Sequence, residues 1–465
     1  MDRRISRLAL LATTLIAPLA IAAAVVAPTM APAQSGASPP PTAAPPANGA
    51  LLAGAARIDI TPAVEDLPKP FESIESRLHV RTVVLDTGGR RAVLVVGDLP
   101  MFAPDIFEDT MARIAKASGA PPENILLAVT HTHDTVRMDN NPVGIILPGS
   151  EKITRMTTDA IVASVKQAIA NRRPARAGYA NGVFRLAGRN EGGSGAEGAA
   201  ESGRTQSTDA SIGVFKVETL QGEPIALMVS NGPGPGVPGL GGGKRSKVSA
   251  DMVGMVERYV EQRFGDKVVA MYTVGAPMGI AMNPGRKGAG LTPPEPNAVK
   301  GAVATVLGEE VVATALRIKT SDKLTISGSL EVLMCPGKST FPLNNPGACS
   351  DAPDSKLPRC VFTDTDIAPV PLRFGTIQLG DFTIVHSDAN VMPPLWARVK
   401  QGAPRPASTM LVSLGYGPVH YVVPDEDYPS NSYPVTASMA KRGCAAGGFV
   451  DGALKMVNAS RASGG

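Results

Sequence analysis

The chain carries five histidines, at 79, 131, 133, 386 and 420, and two of them stand in the segment Thr130-His131-Thr132-His133. On an extended segment alternate side chains share a side, so this spacing turns both imidazoles the same way. Such a pair at a strand end suits a transition metal, imidazole being the commonest nitrogen ligand for zinc. Hydrogen-bonded or solvent-facing histidines fit the spacing equally well. Tyr416, Tyr421, Tyr428 and Tyr433 form the one aromatic cluster in a chain poor in aromatics, read either as packing with bonded hydroxyls or as a phenol for chemistry at Tyr421. The single tryptophan, Trp396, follows Pro393-Pro394 and reads as a packing anchor. Gly239 to Ser246 looks like a phosphate loop but fails, because Arg245 stands where Ser or Thr must bind magnesium.

The four cysteines, Cys335, Cys349, Cys360 and Cys444, show no C-x-x-C spacing and suggest disulfides rather than metal. The Pro- and Asn-rich run between Cys335 and Cys360 reads as an exposed loop. The short segment between Cys349 and Cys360 closes at little entropic cost, which favours that pair; Cys335 then joins Cys444, or both stay free.

The elements around these residues alternate between strand and helix. Arg57 to Pro62 is a short strand stopped by proline, and His79 to Asp86 and Arg91 to Asp98 are strands joined through Gly88-Gly89. The second of these is apolar throughout, as in a strand covered on both faces. A helix over Asp105 to Ser118 leads to the buried strand Asn124 to Val129, which ends at the histidine pair. In sheets of this kind ligands collect beyond the carboxyl ends of the strands. Helices follow over 153–171, 251–264, 300–318 and 448–458, with strands at 214–217, 225–229, 268–274, 374–379, 382–385 and 410–414. A Gly-rich loop spans 188–203. The fold class expected is α/β, a mixed central sheet with flanking helices in a single large domain.

Arg3, Arg4 and Arg7 before the apolar run Leu8 to Val26, then Ala31-Pro32-Ala33, form a secretory signal over residues 1–33. The rival reading, a membrane anchor, is disfavoured by Pro18 and the cleavage pattern, so no membrane span is expected after cleavage and the protein is expected outside the cytoplasm. Residues 34–50 are a Pro/Ala-rich tether, and folding starts near Leu51. Loss of the signal removes three Arg and one Asp from a formal charge of +4, and no dense basic block remains, which argues against a nucleic-acid partner.

The ordered landmarks of the folded part resemble the neutral/alkaline ceramidases, enzymes that cleave the amide of ceramide with one zinc ion. They are Gly54 to Pro62, Val95 to Leu99, Asn124 to His133, Thr208-Asp209, Val248 to Asp251, Gly380-Asp381, and Gly415-Tyr416 with His420 to Pro424. The resemblance covers roughly 51–458 and implies a zinc site built from the first histidine of T-H-T-H, a histidine in H-P, a glutamate in P-G-E and the late tyrosine. His131 and Tyr421 match as metal ligands, and His133 and Tyr421 as the residues that move protons and stabilise the oxyanion. The H-P histidine falls on Gly232 and the glutamate on Asn390, while Gly279 to Pro284 lacks the acid of the family's corresponding segment. Two ligands hold zinc poorly, so the cofactor is weak or lost unless His386 or Asp388 substitutes. The implied activity is hydrolysis of an N-acyl amide lipid; the alternative is a non-catalytic descendant that binds a lipid or glycan in the same cleft.

Overall fold

The computed structural model describes residues 49–136, 149–184, 188–189, 210–232, 246–276, 280–281, 295–339, 346–350, 359–362, 364–413, 417–430 and 432–459. The signal, the tether up to residue 48, the Gly-rich loop beyond Arg189, Thr208-Asp209 and Tyr416 lie outside them.

Twelve strands form one mixed sheet: β1 (Leu52–Asp59), β2 (His79–Thr87), β3 (Arg90–Gly97), β4 (Ile125–Val129), β5 (Arg173–Val183), β6 (Ser211–Thr219), β7 (Pro224–Asn231), β8 (Val269–Val274), β9 (Ile326–Ser339), β10 (Thr365–Leu379), β11 (Phe382–Ser387) and β12 (Thr409–Ser413). Their spatial order is β9-β10-β11-β12-β8-β7-β6-β5-β1-β2-β3-β4. Three neighbouring pairs run parallel, β3 with β4, β7 with β8, and β11 with β12. The sheet is thinly joined at two places, with only Leu52 and Ala53 of β1 reaching β5 and only Val274 of β8 reaching Ser413 of β12. These thin joints let the sheet fold, and the inner faces of all its parts share one core that includes Val83, Leu94, Phe215, Met271, Ile377, Ile384 and Met410.

Helices cover the outside. α1 (Pro104–Ser118) and α2 (Glu151–Ala170) lie over β1 to β4, α3 (Asp251–Arg263) and α4 (Pro296–Arg317) over β5 to β8, and α5 (Pro393–Gly402) and α6 (Ala445–Ala459) over β10 to β12. The sheet and its flanking helices are those expected. The hairpin between β2 and β3 turns at Gly88 and Gly89, both at positive φ, which their missing Cβ permits. From Arg91 to Gly97 every residue of β3 is buried, as its unbroken apolar run requires. Trp396 is buried against α6 as an anchor.

The C-terminal third departs from expectation. β9, with Ser327, Gly328, Ser329 and Glu331 interrupting its apolar residues, lacks a clear period of two and was not anticipated; neither was α5. The run after Cys335 is no simple loop. β9 continues to Ser339, and the short strands Pro346–Ser350 and Arg359–Phe362 pair with Cys349 opposite Cys360. Cys335 and Cys444 form a disulfide across a Cα separation of 5.7 Å, tying β9 to the start of α6.

Candidate active site

β3 and β4 end side by side, and the chain leaving each builds one wall. The Thr130 amide donates to the Gly97 carbonyl at 2.9 Å, which holds the two exits together. His131 then turns into the left-handed region at φ 60, so the segment is not extended and alternation is not what aligns the rings. The His131 Nδ1 instead meets the Pro100 carbonyl at 2.6 Å. A carbonyl only accepts, so Nδ1 carries the hydrogen, and in the neutral ring the lone pair is on Nε2. The ring of His133 stands edge-on to it, with centroids 4.8 Å apart.

This wall is tied to the entry of α3. Thr132 Oγ1 donates to the Ser249 carbonyl at 3.0 Å, and the Ser249 amide donates to the Asp134 carbonyl at 2.6 Å. Asp251, at φ 54, pairs with Lys300 of α4 at 2.5 Å, and Lys300 stands 3.9 Å from Asp134. No pattern in the sequence pointed to Lys300; a lone lysine at a helix start has no spacing signature.

Beneath the wall lies a charged floor. Asp98 accepts from the His79 amide at 2.8 Å and from Arg81 at 3.0 Å. The Arg81 guanidinium also reaches Glu257 at 2.7 Å and Glu261 at 3.4 Å, and all four side chains are buried. Burial pushes Glu257 well above the usual carboxylate range, against the opposing pull of Arg81. Its carboxyl accepts the Tyr272 amide of β8 at 2.9 Å.

A second wall forms where β11 ends. Asn390-Val391 pairs in parallel with Tyr421-Val422, Asn390 directly opposite Tyr421, and the Asn390 amide donates to the His420 carbonyl at 2.8 Å. Ser438 Oγ donates to the Tyr421 carbonyl at 2.8 Å, and the Tyr421 ring packs on Met392, Val423 and Val435. Tyr428 is a packing residue, its hydroxyl donating to the Ala440 carbonyl at 2.8 Å.

His386 and Asp388, the two possible substitutes for lost ligands, are not surface residues. His386 is buried on the inner face of β11, its Nε2 where a Cβ on Gly375 would clash, and among the described residues that nitrogen has no hydrogen-bond partner. Burial holds its pKa down at about 4. Asp388 fills the space that Gly417 leaves by lacking a Cβ, accepts the Arg373 amide at 3.1 Å, and is pushed up to about 7 by burial. Burial also lowers the pKa of His420.

The structure thus brings His131 to His133, and Asn390 to Tyr421. Arg373 spans part of the distance between the two walls: its amide holds Asp388, and its guanidinium donates at 2.8 Å to Glu108 of α1, the helix that follows Pro100. Gly232 sits buried at the end of β7, beside a small cleft it lines with Gly275, Trp396 and Lys400.

No family model and no curated protein matches this sequence. Solved structures do. The chain is similar to the neutral ceramidase of Pseudomonas aeruginosa, with a TM-score of 0.68 and 17% identity over 90% of this chain and 75% of that one. A ceramidase complexed with C2 matches with a TM-score of 0.68 and 18% identity, over 90% of this chain and 76% of that one. The fold is ceramidase-like.

Within this ceramidase-like fold the donors present do not fit a three-ligand zinc site. Gly232 offers no side chain and Asn390 only a neutral amide, a weak ligand. Among the described residues no group of three or more His, Cys, Asp or Glu side chains is placed to hold a metal ion. His386 and Asp388 are each engaged in packing.

Proposed function

We propose that the protein is a ceramidase-like hydrolase of an N-acyl amide lipid that works with its own side chains at His131, His133 and Tyr421. The observation that carries this reading is the Pro100 carbonyl on His131 Nδ1, which leaves Nε2 as a base. In this reading Tyr421 faces the histidine pair across one cleft, with Gly232 and Asn390 lining it. Nε2 of His131 takes a proton from a water that attacks the amide carbonyl carbon, and the Tyr421 hydroxyl donates to the carbonyl oxygen as it gains charge. The proton then passes to the amide nitrogen, directly or through His133, as the carbon–nitrogen bond breaks. The products are a carboxylic acid and an amine.

The second reading is a protein that binds the lipid, or a glycan, without cleaving it, and the presence of Gly232 and Asn390 favours it. Export belongs to both readings: cleavage after Ala33 gives mature protein beginning at Gln34, and intact Met1 in a membrane fraction would contradict it. No helix among the described residues is long and apolar enough to cross a membrane.

Incubation of the purified protein with ceramide and with a soluble N-acyl amide, with and without chelator, separates the readings by mass spectrometry of released acid. Chelator-resistant release that disappears in His131→Ala and falls in Tyr421→Phe supports hydrolysis by these residues. Intact amide with saturable binding establishes the binder instead. Stoichiometric zinc with chelator-sensitive turnover would show that Gly232 and Asn390 do not stand at ligand positions.

A further inference from the structure

The inner face of β9 and β10 begins in the core and ends in solvent. Ile326 and Ile377 are buried in the shared core, and Gly328 packs on the Glu123 carbonyl. Further along β9 the same alternation exposes Leu330, Val332 and Met334, at 47%, 55% and 55%. Across the pair their partners are Gly375, Arg373 and Pro371, before the register shifts beyond Cys335. Scattered surface leucines and valines are ordinary, but three large apolar residues in a row on one face of one ribbon form a patch. The other face of the ribbon is already used, since Leu333, Cys335, Val370 and Leu372 pack on α6 and its surroundings.

The patch is continuous with the second wall of the candidate site. Leu330 and His386 both crowd Gly375, and Arg373, opposite Val332, holds Asp388. At its far end the Lys441 amide donates to the Pro336 carbonyl, beside exposed Arg442. An apolar stripe bordered by Arg373, Lys441 and Arg442, of which Arg373 pairs with Glu108 and Lys441 with Asp366, and running to the rim of a site read as taking lipid amides fits one partner chemistry. We propose that this face of the β9–β10 ribbon settles on a lipid surface, Leu330, Val332 and Met334 entering the acyl boundary while Arg373, Lys441 and Arg442 stay at headgroup level. A second copy of the chain fits less well. A self-complementary contact centred on this stripe brings two Arg373 guanidinium groups together.

The inference rests on the lipid-amide reading for its direction but is tested without it. Flotation of the purified protein with phosphatidylcholine vesicles, alone and with one-fifth anionic lipid, should show binding strengthened by the anionic lipid. Val332→Glu with Met334→Glu should weaken partitioning at least about tenfold, with an unchanged unfolding midpoint because both side chains are more than half exposed. If the protein also hydrolyses amides, the double variant should keep turnover on a soluble N-acyl amide and lose it on vesicle-borne lipid. Vesicle binding without any hydrolysis would sink the catalytic reading and leave this surface standing. Vesicle binding unchanged in the double variant, or a wild-type dimer that the double substitution converts to monomer, overturns the proposal.

Discussion

The wall carrying the histidine pair and the wall carrying Asn390 and Tyr421 are supported by opposite means. The histidine wall stands over a buried cation, Arg81, shared by Asp98, Glu261 and Glu257, the last itself pushed toward neutrality by burial, and its own loop is pinned by the Lys300 pair with Asp251. The wall carrying Asn390 and Tyr421 stands over groups that burial drives toward neutrality, His386 with its pKa lowered and Asp388 with its pKa raised, and over apolar contacts of Met392, Val423 and Val435. A charged floor depends on every partner being present, because a single deletion strands the others in low dielectric. A neutral floor depends on shape and on pH. The difference also shows why His386 and Asp388 make poor metal ligands: both already serve as packing.

Removing the centre of the ionic floor should have the largest effect. Arg81→Met leaves buried Asp98 and Glu257 without their guanidinium, while Glu261 keeps Arg57 and Arg258, and a loss of about 3–5 kcal/mol in denaturant unfolding is expected. The matched change on the other side, Arg373→Met, removes an ion pair with exposed Glu108 and a longer one, 3.8 Å, with buried Asp388, which burial already drives toward neutrality, and should cost less, about 1–2 kcal/mol. Equal losses would erase the distinction between the walls.

The neutral floor should reveal itself through pH. His386 is uncharged in the fold down to about pH 4, whereas in the unfolded chain it protonates near the usual imidazole value of 6.5. Between these values the unfolded chain binds more protons, so this group's contribution is complete above about pH 6.5 and declines as pH falls toward 4, by up to about 3 kcal/mol. His386→Leu should flatten stability over that window. If the pH dependence of unfolding is the same in both proteins, His386 is not held neutral.

The smallest change in stability is expected at the histidine wall's own surface. His131→Gly removes the imidazole but relieves a left-handed backbone that glycine adopts freely, so the unfolding free energy should move by less than about 1 kcal/mol. Any amide hydrolysis should vanish. A loss of several kcal/mol would make His131 a structural residue and move the chemistry elsewhere.

Several features were legible in the sequence because they depend on local pattern. The unbroken apolar runs of β3 and β4 can only be strands covered on both faces, Gly88-Gly89 can only be a turn, and Thr130 to His133 marked where chemistry could lie. β9 was not legible, since it alternates apolar residues that meet solvent on one face with polar ones, and the period that marks a buried face is blurred. The tautomer of His131 is a tertiary fact: it depends on the carbonyl of Pro100, thirty-one residues earlier in the chain. The same holds for the anchoring of Thr132 on Ser249, 117 residues away. By itself the sequence determined which side chains exist for chemistry, and that Gly232 and Asn390 cannot supply a charged or imidazole ligand. Only the folded sheet decided that His386 and Asp388 are turned into packing, because burial is set by what lies across the sheet, and no local pattern records that.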